Sequence, residues 1–71
     1  VNVNKLKGKI VENGLTVGEL ANQIGMDRST LYRKISNDGD SLTIKDVNLI
    51  CKVLKLTKEE AMSIFFNQFV A

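Results

Sequence analysis

Apolar residues recur along this chain at intervals of three and four, and short polar stretches separate one run from the next. Val3, Leu6 and Ile10 share one face of a helix over roughly residues 3–13, and Gly14 stands where a helix-ending glycine belongs. Val17, Leu20, Ala21 and Ile24 follow an i, i+3, i+4, i+7 spacing, which predicts a second helix over roughly 17–24, closed by Gly25. A third helix over roughly 28–36 has only Leu31 and Ile35 to hold it to a core. The segment SNDGDSL (36–42) has the composition of a loop. A fourth helix over roughly 44–55 is expected to bury Ile44, Val47, Ile50, Cys51 and Leu54, and a fifth over roughly 58–69 carries Ala61, Met62, Ile64, Phe65, Phe66 and Phe69. No segment needs to be a strand. The pattern predicts an all-α fold, a compact five-helix domain spanning residues 1–71.

The helix starts carry their own punctuation. Thr16-Val17-Gly18-Glu19, Thr43-Ile44-Lys45-Asp46 and Thr57-Lys58-Glu59-Glu60 follow the capping-box spacing. In such a box the threonine hydroxyl accepts from a first-turn N–H, and the carboxylate reaches back to the cap N–H. Aspartate is the shorter and weaker partner at the second of these. Asp27, directly before Arg28, is a fourth cap.

Composition narrows the chemistry. With 71 residues the chain has room for one domain, and a domain of this size buries only about 60% of its unfolded surface. There is no histidine, so the commonest general base and a principal metal ligand are both missing. The single cysteine lies on an apolar stripe, cannot close an internal disulfide and reads as a core residue of a reducing compartment. The NDGDS carboxylates lack calcium-loop spacing, and there is no glycine-rich phosphate loop. No enzyme, metal or cofactor is expected. No apolar run approaches the roughly 20 residues of a membrane span, so a cytoplasmic protein is expected. The net charge of +2 is small but uneven. Residues 1–35 carry six Lys/Arg against three acids, and residues 36–71 carry four against five.

Residues 16–36 concentrate the remaining signal. Two capped short helices are separated by Gly25-Met26-Asp27, the spacing of a helix–turn–helix. Ala21 is small where the helices cross, and Gly25 can take the positive φ of a tight turn. On a wheel of roughly 100° per residue, Leu31 and Ile35 define the buried direction of the second of these helices. Arg33 lies opposite, flanked by Ser29 and Thr30, with Tyr32 and Lys34 further round and Arg28 at the N-terminal end. After Asp27 no acid appears until Asp38, whereas a merely solvated helix usually mixes charge signs to gain i, i+4 pairs. Arginine can bond guanine O6 and N7 together, serine can pair with several bases, and a tyrosine ring can meet a thymine methyl or a phosphate. The surface is suited to reading DNA.

The stretch LTVGELANQIGMDRSTLYRKI resembles the helix–turn–helix of the lambda-repressor-like group, which includes phage repressors, Cro-type regulators and XRE-type transcription factors. TIKDVNLICKVLKLTKEEAMSIFF resembles that group's fourth and fifth helices. The resemblance covers nearly the whole chain and is closest to small phage-derived regulators of low-GC Gram-positive bacteria. It implies a sequence-specific double-stranded-DNA-binding regulator acting on a pseudo-palindromic operator as a homodimer, and so a place on the bacterial nucleoid. Carried over by position, Arg28, Ser29, Tyr32 and Arg33 read bases, while Thr16, Val17, Thr30, Lys34, Asn37, Thr43 and Lys45 meet the DNA backbone. Two positions depart from the group's pattern. Val17 stands where a phosphate-binding glutamine is common, and Lys34 falls where many members have an apolar residue.

The last predicted helix is apolar on more than one side: its side chains either finish the core or form a dimer interface built around Phe66, Phe69 and Val70. Antitoxins and plasmid-control proteins would use the same helices. The competing reading from a different class is a helical protein-interaction module working through that aromatic helix.

Overall fold

The computed structural model describes residues 1–66 of the chain. Five helices follow one another: α1 (Val3–Glu12), α2 (Val17–Gln23), α3 (Arg28–Ser36), α4 (Ile44–Leu54) and α5 (Lys58–Phe65). There is no strand among the described residues. The all-α expectation holds, with helix ends within a residue or two of those read from the spacing for α1 to α4. The expected continuation of the fifth helix to residue 69 lies outside the described residues, as do Phe69 and Val70.

All four anticipated caps form. Thr16, Thr43 and Thr57 accept from the N–H groups of Glu19, Asp46 and Glu60, and each carboxylate returns a bond to its threonine N–H. Asp27 accepts from the Ser29 N–H. The spacing gave no notice of a fifth cap, Asn2, whose side chain accepts from the Lys5 N–H at 3.1 Å and starts α1. The end of α4 is also unannounced: Lys55 takes the left-handed conformation at φ 53°, a role that glycine usually fills.

One core joins all five helices. Leu6 and Ile10 of α1, Leu20 and Ala21 of α2, Leu31 and Ile35 of α3, Ile50 and Leu54 of α4, and Ile64 and Phe65 of α5 are buried together. Cys51 packs against this core half-buried, and burial pushes its thiol up. Ile44 corrects the hydrophobic pattern. It shares the apolar spacing of α4 yet is 78% exposed, because it is the first residue of the helix and sits a full turn before the stripe reaches the core. No helix among the described residues is long and apolar enough to cross a membrane.

The first and last described helices are tied together by polar bonds. The Asn2 N–H donates to the Ile64 carbonyl at 2.7 Å, and Lys5 donates to the Ser63 hydroxyl. Lys9 bridges two acids, pairing with Glu60 of α5 and, at 3.4 Å, with Glu12 of its own helix. The Lys9 ammonium and the Thr57 N–H hold the Glu60 carboxyl down at about 2, against an ordinary 4.5. A carboxyl depressed by folding stabilises the native state above its unfolded pKa, and that contribution drains away as pH falls toward the folded value. Glutamine at position 60 can still complete a capping box but has no charge. Wild type is therefore expected to exceed Glu60→Gln in stability at neutral pH, with the difference shrinking between pH 4.5 and about 2. Chemical denaturation of both proteins across that range checks this.

Candidate nucleic-acid interface

Helices α2 and α3 pack closely because nothing bulky separates them. Ala21 is fully buried at the crossing, beside Leu20 and Leu31. Gly25 makes the turn at φ +72°, a conformation that costs glycine little and a branched residue much. Two bonds close the corner: the Gly25 N–H donates to the Asn22 carbonyl at 3.2 Å and the Met26 N–H to the Ala21 carbonyl at 2.8 Å. Met26 then packs on the core, and Asp27 begins the next helix.

With Leu31 and Ile35 turned inward, the rest of α3 faces out. Arg28, Ser29, Tyr32 and Arg33 are exposed, and Thr30 is half-buried at the edge of the same surface. No acidic side chain occurs within Arg28–Ser36. The carboxylate at the N-terminal end of α3, Asp27, is occupied. It accepts from both the hydroxyl and the N–H of Ser29, and these bonds hold its carboxyl below the usual range. The arrangement orients Ser29 as well: its hydroxyl donates a hydrogen bond to Asp27, which leaves the oxygen's lone pairs for a further partner. It is set to accept a hydrogen bond, as from an exocyclic base amine.

Lys34 is placed differently from its neighbours. Its ammonium donates to Asp46 of α4 at 2.8 Å, and both side chains are largely withdrawn from solvent. The same carboxylate oxygen accepts from the Thr43 N–H at 3.0 Å. Burial alone would raise the Asp46 carboxyl, but the Lys34 ammonium and the Thr43 bonds outweigh it and hold the group low. A buried carboxylate persists only where such partners are supplied. The expectation that Lys34 meets the DNA backbone thus competes with a fixed internal partner. Asp46, read from sequence only as a weak cap, proves to join α4 to the C-terminal half of α3.

Around Lys34 the surface opens into a groove of about 450 Å³ lined by Thr30, Arg33, Lys34, Ser36, Asn37 and Ser41. Thr43 and Lys45 are exposed at the start of α4, and Thr16 at the start of α2. Val17 packs against the core, so its side chain is turned away and only its N–H remains available at that helix start. The structure therefore brings Thr30, Lys34 and Asn37 together on one groove, which Thr16 and Val17 do not line.

A family model described as Cro/C1-type HTH DNA-binding domain matches residues 5–66. The chain belongs to that family. The match takes in nearly all of the described helices, including the whole of α2 and α3. No curated protein and no solved structure gives a significant match to the chain.

The Cro/C1-type assignment makes the paired helices a DNA-binding unit, and the internal bonds around α3 are then what keeps that unit in shape. Sequence reasoning missed two of its supports. Asp46 was hidden because its partner lies twelve residues away, beyond the reach of any local pattern. Gly18 was hidden because its importance lies in what rests on it: the side chain of Arg28 lies across it. Asp46→Ala removes the carboxylate of a capping box and strands the Lys34 ammonium, so it is expected to lower stability by about 1–3 kcal/mol. Urea denaturation checks this figure, and a variant as stable as wild type would show that the Lys34–Asp46 pair carries no weight.

Proposed function

We propose that this Cro/C1-type domain is a transcriptional repressor of the phage or mobile-element kind, reading a pseudo-palindromic operator with α3 in the major groove. The observation that carries the reading is the outward side of α3, where Arg28, Ser29, Tyr32 and Arg33 stand exposed with no acid between positions 28 and 37. In this reading Arg28 and Arg33 bond guanine edges, Ser29 accepts from a base amine, and Tyr32 packs on a thymine methyl or meets a phosphate. Thr16, Thr30, Asn37, Thr43, Lys45 and the Val17 N–H fix the domain on the phosphates. Contacts of that kind set register and orientation without reading sequence. Lys34 serves first as the internal partner of Asp46 and borders the phosphate groove without being free to leave it. The phage or mobile-element character rests on the likeness of residues 15–35 and 43–66 to small phage-derived regulators.

The domain acts in this reading as a homodimer. A symmetric pair would set two recognition helices about 34 Å apart, one DNA turn, on the two halves of the operator. Support comes from Phe66, which remains 38% exposed at the end of α5, and from Ile44 beside it. Both border a recess of about 220 Å³ lined also by Val1, Gly39, Asp40, Leu42, Val47 and Phe65. A second copy placing its own Phe66 region there would bury surface that water now covers. Phe69 and Val70 extend the proposed interface in sequence.

Binding-site selection from random duplexes tests the reading directly, with an inverted repeat as the expected result. On the selected operator Arg33→Ala should cost about 1–3 kcal/mol and relax preference at one base pair of each half-site. Lys45→Ala should weaken all sequences nearly equally and reduce the dependence of log K on log salt by about 1. If neither change alters binding, the reading surface has been misplaced. Sedimentation at high concentration, with and without operator, checks the dimer. Monomer alone in both conditions would refute it, and Phe66→Ser is expected to shift wild-type dimer toward monomer.

A further inference from the structure

Arg28 and Gly18 meet across the helix–turn–helix. Gly18 is the second residue of α2, within regular helix, where glycine is a poor choice and alanine is intrinsically better. Its value lies in the missing side chain. A Cβ built at Gly18 would fall 2.5 Å from Cδ of Arg28, 3.3 Å from Cγ and 3.6 Å from Nη1. The aliphatic stem of Arg28 therefore occupies the space that any other residue's Cβ would fill. The guanidinium is thereby carried over the first turn of α2, with Nη1 3.6 Å from the same point.

We propose that Gly18 is a positioning and specificity-determining residue: the slot it leaves in α2 fixes the rotamer with which Arg28 is presented to DNA. The inference rests on the reading of Arg28 as a DNA contact. A free arginine side chain loses considerable rotamer entropy when its planar fork engages a base or phosphate. Laying the stem in a groove of the protein's own making incurs part of that loss at folding, and it restricts where the fork can go. The same slot explains why a residue of low helix propensity stands inside a capped helix with no turn to make. Gly18 touches no base itself, since it acts through the stem that rests on it.

The Gly18→Ala substitution separates this role from a structural one because the two predict opposite signs. Removing a helical glycine should leave the melting temperature unchanged or raise it. Displacing Arg28 should weaken operator binding by about 3- to 30-fold and relax preference at the base pair that Arg28→Ala also relaxes. The double variant Gly18→Ala/Arg28→Ala should bind no worse than Arg28→Ala alone, because the two changes remove one contact. In the DNA-free protein, ¹⁵N relaxation at Arg28 Nε should show an ordered side chain in wild type and a mobile one in Gly18→Ala.

Arg28→Ala separates failure of the proposal from failure of the reading beneath it. If Arg28→Ala weakens binding while Gly18→Ala binds and selects like wild type, the positioning role is overturned and Arg28 stands as a contact. If Arg28→Ala leaves binding and selection unchanged, the contact reading falls and the proposal with it. If the double variant is weaker than Arg28→Ala by the full effect of Gly18→Ala, the glycine acts independently of the arginine and the proposal is wrong.

Discussion

Everything about the outward surface of α3 depends on how little of that helix is given to the core. Two large apolar side chains, Leu31 and Ile35, carry the whole hydrophobic attachment of a nine-residue helix. In so small a domain that is a severe constraint, since apolar burial is the main favourable term and the helix alone is too short to be stable. The chain resolves it by adding attachments that use no outward surface. Asp27 caps the start, Gly25 lets α2 close on it, and Lys34 reaches sideways to Asp46 near the C-terminal end. The outward side is left to polar residues because the holding is done from the ends and the edge.

Polar bonds at helix ends recur throughout the molecule for the same reason. Three threonine boxes and two Asx caps start the five helices, and the Asn2 and Lys9 contacts bring α5 back onto α1. Each is a modest contribution, on the order of 1 kcal/mol or less for an exposed pair or cap. Their collective effect is to fix where each helix begins. In a bundle of short helices, a shift of one residue in a start rotates the whole apolar face by roughly 100°.

The parts of the structure legible in the sequence are those governed by local rules. A threonine with an acid three residues on marks a helix start, because the bonds that reward it lie within one turn. Apolar spacing places Leu20, Leu31, Ile50 and Ile64 inward for a similar reason. The spacing failed at Ile44, since periodicity describes a helix face and says nothing about whether the core extends to the helix's first turn. It could not reveal the Lys34–Asp46 pair, the Lys9–Glu60 pair or the Arg28 stem over Gly18, all of which join separate helices. The outward residues of α3 were legible once the inward ones were known, because they are what remains on the wheel. Which of their atoms are spoken for was not: the Ser29 hydroxyl donates to Asp27, and no spacing rule announces that.

The division of labour within α3 also bears on how such a domain can diversify. The apolar residues that attach the helix and the residues that face outward are different residues, so most outward positions can be rewritten without loosening the fold. On the proposed reading, a lineage copying this chain could thus acquire new operators through single substitutions at Tyr32 or Arg33, each nearly neutral for stability, whereas Ser29 also bonds the Asp27 cap. Arg28 is bound to a second gene position, because a new side chain there must suit the slot over Gly18. Change at that end of the helix is therefore paired change, and on the proposed positioning role position 28 should drift more slowly than Tyr32 or Arg33.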